Sequence, residues 1–382
     1  MPCAGRASGN DANRRSIIMN VLVCGGAGYI GSHTVRRLRA AGYTPVIFDN
    51  FATGHEYAVE RVLCGPDSDK GGNKDGGTET GGSVIRGDLL DPASLDAAFA
   101  SRRFDAVIHL AGLILVGESV VNPGPYYENN VTGTLNLLRA MAGAGVNTLV
   151  FSSTCAVFGE PETMPLTEDL PMRPVSPYGN TKLAAEMMMH DFAVAHGMRC
   201  VALRYFNAAG ADEAGDIGED HNPESHLIPL AIQAVLGQGP ALRVFGNDYA
   251  TPDGTCLRDY VHVNDLADAH IAALRHCAAS DRSHGRSRGR SRGGSNDGVS
   301  GGGLFEGFNL GTGRATSVLE ILSGVEAVSG KKVPYSFAPR RPGDSPELCA
   351  DPSKARDVLG WQARHTDVNE IIASAWRWHA GK

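Results

Sequence analysis

Short apolar runs alternate along the chain with stripes of helical spacing. Val21-Leu22-Val23 and Val46-Ile47-Phe48 read as strands, and Val84 to Leu89 and Ala106 to Gly112 as buried strands ending in small or polar residues. Val35 and Leu38 mark a helix after the first strand. Leu135, Leu138 and Met141 mark another after Pro125, and Leu183, Met187 and Phe192 a third after Pro177. The alternation predicts an α/β protein, with a doubly wound, mostly parallel sheet over residues 17–207 and a smaller α/β portion over 208–380.

Composition narrows this picture. The 382 residues are enough for a large core, and a net charge of −7 with mostly dispersed basic residues gives no footprint for nucleic acid. Two glycine- and serine-rich inserts, 65–82 and 280–303, bury too little apolar surface to offset ordering entropy and are expected to be flexible, as are residues 1–16. Arg286, Arg288, Arg290 and Arg292 in the second insert read as a solvated loop rather than an RNA-contacting one. Eight irregularly placed cysteines, without a Cys-x-x-Cys pair or a metal-type cluster, point to reduced thiols, a cytoplasmic setting and no metal. No apolar run approaches the roughly 20 residues that span a membrane. The arginines and small residues of 1–16 leave organelle targeting open.

Candidate chemistry begins at Gly25-Gly26-Ala27-Gly28-Tyr29-Ile30-Gly31, between the first strand and its helix. Glycines there permit positive φ and a close backbone approach, so that a pyrophosphate meets the N–H groups at the helix start. Asp49, closing the next strand, is placed to accept ribose hydroxyls and to repel a 2′-phosphate, which favours NAD over NADP. Asp88 and Leu89 are placed to meet an adenine, while Ala111 and Gly112 leave room for the cofactor's backbone. His109, inside an apolar run, reads as a packed core residue. Ser176 and Pro177 start a helix that carries Tyr178 and Lys182 on one face, and a nearby ammonium is expected to lower the phenol's pKa toward working pH.

Together with Phe151-Ser152-Ser153-Thr154, these motifs resemble the extended short-chain dehydrogenase/reductases with a Rossmann-type fold, and within them the UDP-glucose 4-epimerases. The likeness runs from about Ile18 to Trp378. It includes Val116-Gly117-Glu118-Ser119, Tyr126 to Gly133, Leu203 to Asn207, Phe245 to Tyr249, Asp253 to Tyr260 and Arg340 to Asp344. The resemblance implies NAD that takes a hydride from C4 of a UDP-sugar and returns it to the other face of the 4-keto intermediate, interconverting UDP-glucose and UDP-galactose. By position Tyr178 moves the C4 hydroxyl proton, Lys182 holds the nicotinamide ribose and Thr154 bonds the reacting oxygen. It adds Tyr29, Ile30, Asn50, Leu110, Asn129, Ser152 and Tyr205 to the cofactor residues. It nominates Phe206, Asn207, Leu227, Phe245, Arg258, Tyr260, Arg341, Asp344 and Leu348 for the substrate. It also implies that segments near 255–276 and 305–318 return to the first domain, and that the helices after Pro125 and Pro177 form a four-helix homodimer contact.

Two departures bear on this resemblance. Ile114 stands where several relatives carry a lysine, which weakens cofactor retention, and Leu348 stands where members selective for UDP-glucose place a tyrosine, which would admit UDP-N-acetylhexosamines. UDP-xylose and UDP-arabinose remain alternative substrates, and a sensor of NAD or a nucleotide sugar is the non-enzymatic alternative. Cys155 and Ala156 replace the acid pair of dehydratases.

Overall fold

The structure, a computed structural model, describes residues 19–64, 82–287, 303–341 and 344–382. Residues 1–16, nearly all of insert 65–82 and the larger part of insert 280–303 lie outside the described residues.

The first half of the chain runs β1 (Asn20–Cys24), α1 (Tyr29–Ala40), β2 (Thr44–Asp49), α2 (Glu56–Cys64), β3 (Ser83–Arg86), α3 (Pro92–Ser101), β4 (Ala106–His109) and α4 (Val116–Val121). A continuous helical stretch follows as α5 (Gly124–Tyr126), a π-helical turn (Tyr127–Thr132) and α6 (Gly133–Ala144), and then β5 (Thr148–Thr154), α7 (Pro177–His196) and β6 (Arg199–Tyr205). After β7 (Asn207–Ala209), α8 (Leu227–Leu236), β8 (Leu242–Phe245), β9 (Leu257–His262) and α9 (Val263–Ser287) comes β10 (Leu304–Leu310).

Seven of these strands form one sheet in the order β10-β6-β5-β4-β1-β2-β3, and every pairing in it is parallel. Parallel strands are covered on both faces, which explains the unbroken apolar runs. Val21, Val23, Ile47, Ile108 and Val150 pack with Val35, Leu266 and Leu274 on one side, while Leu22, Val46, Phe48, Val107 and Phe151 pack with Leu95, Leu138 and Met189 on the other. Strand order reverses between β1 and β4, so a crevice opens at the carboxyl ends of the strands there.

A smaller α/β assembly follows. The chain adds β11 (Ala315–Ser317), α10 (Val318–Ser329), β12 (Tyr335–Ala338), β13 (Glu347–Leu348) and α11 (Val368–Ala380). Strand β9 pairs with β7, β11 and β13, and β8 with β12. Ile232, Leu322, Val325 and Ile372 on α8, α10 and α11 close the core.

Two expectations change. Val84 to Leu89 was expected to be a buried strand, but β3 is the sheet's edge: its residues alternate in exposure and Val84 is 40% exposed. The insert expected from residue 280 starts later, because α9 continues to Ser287 and no glycine or proline interrupts it before Gly285.

Candidate active site

The stretches beginning at Gly25, Asp49, Asp88 and Leu110 lie at or just beyond the carboxyl ends of β1, β2, β3 and β4. Gly25 adopts φ +81° and donates its N–H to Phe48 O at 2.9 Å; a Cβ there would lie 2.5 Å from Ala111 N. At Gly31 a Cβ would meet Gly25 O at 2.0 Å. Gly28 is different, since its nearest neighbour would be 3.5 Å away, and what it leaves is open space at the head of α1. It is the N-cap of α1, no side chain caps that end, and the first turn holds no acidic residue. The first N–H groups of α1 are thus left for an anionic ligand. The loop's shape and polarity fit a dinucleotide.

Asp49 braces this loop, accepting from Ala27 N at 2.9 Å and Phe51 N at 2.8 Å. Asn50 donates to Asp88 at 3.0 Å, tying the ends of β2 and β3 together. Leu89 is buried, and its carbonyl accepts from Asn136. Leu110 and Ala111 both donate to Cys24 O, which turns the chain after β4 toward the crevice. Tyr29 turns away from the loop to donate to Gly210 O at 2.7 Å, and Ile30 packs into the core. His109 is a core residue as expected: it contacts Thr134 and Phe151, and burial pushes its pKa down to about 3, with Lys182 adding to the effect.

The reacting groups meet at the ends of β5 and β6. Ser176 caps α7 by accepting from Gly179 N, and Pro177 opens it, so the local start matches the sequence pattern. Tyr178 is 9% exposed and lies within hydrogen-bonding reach of Thr154, whose hydroxyl also accepts from Ala156 N at 3.2 Å. Lys182, 4% exposed, donates to Ser152 O at 2.9 Å, and the Ser152 and Tyr205 hydroxyls share a hydrogen bond. A Cβ on Gly112 would come within 3.4 Å of Lys182 Nζ, which places that loop against the lysine.

One electrostatic expectation is overturned. Burial pushes the Tyr178 phenol above its ordinary value, with Tyr205 adding to the effect and the Thr154 hydrogen bond opposing it. Lys182 does not offset this, because its ammonium is turned onto the Ser152 carbonyl and lies 4.7 Å from the Phe151 ring centre. Lys182 is itself lowered to about 8 by burial, against the pull of Glu186. Sharing a helix face did not make the two groups partners.

Residues nominated for the substrate come together in several small sets. Arg258 bonds Asp344 at 3.2 Å and Ser345 O at 2.9 Å, and acts electrostatically on Cys155, the neighbour of Thr154. The Arg341 guanidinium lies over the Phe245 ring at 4.1 Å, giving one cationic and aromatic face. Asn207 and Tyr260 are register partners in β7 and β9. Phe206 and Leu348 both pack against the cluster of Val157, Phe158 and Leu166. Leu227 opens α8, against the core of the smaller assembly. Ile114 is 38% exposed.

Sequence reading missed several supports. Ser119 accepts the Tyr178 N–H at 3.2 Å, although its run had been noted as a motif. Asn130, rather than its neighbour Asn129, locks the loop after β4: it is 4% exposed, exchanges hydrogen bonds with Leu113 N and O, and donates to Thr181. Asn129 donates to Asn130. Beneath β5, Glu186 and Arg204 form a buried ion pair at 2.6 Å, with Ser153 donating to the same carboxylate.

The profile of the NAD dependent epimerase/dehydratase family matches residues 21–285. The chain belongs to that family. It is 48% identical over 360 residues to the UDP-glucose 4-epimerase of Rhizobium leguminosarum bv. trifolii, covering 94% of this chain and 97% of that one. Among solved structures it is similar to UDP-glucose 4-epimerase from Brucella ovis in complex with NAD, with TM-score 0.81, 43% identity, and 94% and 97% of the two chains covered. It is also similar to the Stenotrophomonas maltophila UDP-glucose-4-epimerase with bound NAD and formylated UDP-arabinopyranose, with TM-score 0.83, 37% identity, and 95% and 98% covered. Family membership and the all-parallel sheet agree, because the matched residues contain the glycine turn, Thr154, Tyr178 and Lys182.

Proposed function

We propose that the protein is an NAD-dependent 4-epimerase that interconverts UDP-glucose and UDP-galactose. The observation that carries this reading is that Thr154 at the end of β5 lies beside Tyr178 and Lys182 in the first turns of α7, in a chain similar over 94% of its length to an enzyme of that activity. Bound NAD would supply the hydride acceptor and donor, so the reaction involves no net oxidation. Tyr178 takes the C4 hydroxyl proton and returns it, Thr154 bonds the reacting oxygen, and Lys182 holds the nicotinamide ribose. The glycine turn and α1 take the pyrophosphate, with Asp49, Asn50, Asp88 and Leu89 toward the adenosine side. Arg258 and Arg341 hold the diphosphate by charge-assisted bonds and Phe245 packs on the uracil. The cofactor portion then comprises 17–207 with 255–276 and 305–318, and the substrate portion the remainder of 208–380.

Incubating the purified protein with UDP-galactose and NAD should yield UDP-glucose on chromatography. Absence of conversion in protein that demonstrably holds NAD would overturn the assignment. UDP-xylose and UDP-N-acetylgalactosamine, offered in parallel, size the pocket beside Leu348.

The working unit is a homodimer joined through the helices that start at Gly124 and Pro177. Tyr127 at 44%, Met187 at 61% and Val194 at 52% leave apolar surface exposed on them, which supports this contact. Light scattering on the column eluate should give twice the chain mass, and a monomer at about micromolar concentration would count against the contact. A cytoplasmic location fits the seven cysteines among the described residues, all unpaired, and no described helix is long and apolar enough to cross a membrane.

A further inference from the structure

Between β7 and α8, the stretch Gly218-Glu219-Asp220-His221-Asn222-Pro223-Glu224-Ser225-His226 supplies no group to the reaction proposed above. No metal-type cluster is visible there in the linear sequence, because the spacings follow neither a helical nor a strand face. The fold nevertheless gathers Glu219, His221, Glu224 and His226 so that one ligand-capable atom from each lies within 4.8 Å of all the others. His226 Nδ1 is 2.7 Å from Glu219 Oε1 and 3.2 Å from Glu224 Oε1. His221 Nδ1 is 3.3 Å from Glu219 Oε1 and 3.8 Å from Glu224 Oε1. Ligands held at about 2.0–2.2 Å by a tetrahedral ion stand roughly 3.3–3.6 Å apart, and the observed separations straddle that range.

Hydrogen bonding accounts for only part of the arrangement: His226 Nδ1 shares a bond with Glu224 Oε1 at 3.2 Å and pairs with Glu219 Oε1 at 2.7 Å. Glu219 is 3% exposed, yet its Oε1 has no partner of hydrogen-bond geometry despite two imidazole nitrogens nearby, and His221 Nδ1 has none either. Buried polar atoms that face a charged partner without an aligned hydrogen bond are uncommon in folded proteins. We propose that Glu219, His221, Glu224 and His226 bind one divalent transition-metal ion of the zinc class. Two imidazoles with two carboxylates suit zinc and its neighbours, whereas calcium and magnesium take oxygen ligands.

The supports around the cluster are already in place. Trp378 Nε1 donates to Glu219 O at 2.9 Å, and the Ser225 and His226 N–H groups hold Glu224 Oε1 at 2.7 and 2.9 Å, orienting the carboxylate. The His221 ring meets the edge of Tyr29, with centroids 6.1 Å apart, next to the glycine turn. His226 is the N-cap of α8 and makes no side-chain cap; its ring is turned instead toward Glu219 and Glu224. Its side chain is 35% exposed and offers an entry path. An ion here clasps the segment that runs from the glycine turn's neighbourhood to Leu227. The site stands on its geometry alone and is independent of the epimerase reading.

The test uses the full chain, freed of metal with a chelator and titrated with Co²⁺. Equilibrium dialysis should show one Co²⁺ per chain, with the intense visible bands of a tetrahedral ion and no sulfur-to-metal charge transfer, which separates this site from the cysteines. His226→Ala and Glu219→Gln should each weaken binding by about 10–100-fold or more. If Glu219→Gln fails to fold by circular dichroism, His226→Ala at its partly exposed position decides. Absence of Co²⁺ binding by the metal-free wild type, binding through sulfur alone, or unchanged affinity in folded His226→Ala would each overturn the proposal and leave the cluster as a set of ion pairs.

Discussion

Replacing Tyr178 with Phe should lower kcat for UDP-galactose by roughly 10²–10⁴-fold while leaving NAD content and UDP affinity nearly unchanged. The substitution removes one oxygen from a ring that is 9% exposed and keeps the ring's volume, so α7 and its Ser176 cap are undisturbed. The Tyr178 N–H bond to Ser119 is made by the backbone and survives. What disappears is the group beside Thr154 that can carry a proton to and from the sugar oxygen. Burial disfavours the phenolate in the cofactor-free protein, so turnover depends on the assembled complex easing that ionisation. Thr154→Val, which keeps the shape and loses the hydroxyl, would show how much of that easing comes from the Thr154 bond. Turnover of Tyr178→Phe at near the wild-type rate would show that another group moves the proton and would remove Tyr178 from the mechanism.

The parts of this molecule that could be read from sequence are those written in local repetition. β1, the glycine turn and α1 follow one another within Asn20–Ala40, and each is dictated by near neighbours: apolar pairing faces, glycines where a Cβ would strike Ala111 or Gly25, and an apolar stripe at Val35 and Leu38. The start of α7 is local in the same sense, with Ser176, Pro177 and Gly179 forming the cap. Properties set by distant partners were not legible. Whether Val84 is buried depends on β3 being the last strand, which no residue near it announces. The direction of the Tyr178 shift depends on where Lys182 points, and that is settled by the Ser152 carbonyl on β5. Asn130 and Ser119 act through bonds to a loop and to a helix start across the crevice. The histidines and glutamates of 219–226 become neighbours only because the loop folds back on itself.

Lys182→Met should abolish most activity and weaken cofactor retention, yet leave the cofactor-free protein no less stable at neutral pH. Lys182 is 4% exposed, and burial lowers its pKa from 10.5 to about 8, against the opposing effect of Glu186. The native state therefore binds this proton less well than the unfolded chain does. Between about pH 8 and 10.5 the unfolded chain holds more protons, so the wild type gains stability as pH rises through that window. Below it the cost of the buried ammonium is fully present, on the order of 3 kcal/mol. Methionine has a similar length and no charge, so it removes that cost. It also leaves the Ser152 carbonyl without its donor, a loss of about 1–3 kcal/mol that offsets the gain. The two nearly cancel at pH 7, and the decisive quantity is the difference between the proteins as pH changes. Urea unfolding of both, freed of NAD, should show the variant losing ground to the wild type by about 3 kcal/mol from neutral pH to the alkaline end of the window. Other titrating groups are common to both proteins and drop out of the comparison. A difference that stays flat across the window would mean that Lys182 is well solvated in its charged form, and the account of the lysine as a group held at a cost to stability for the sake of the cofactor would fall with it.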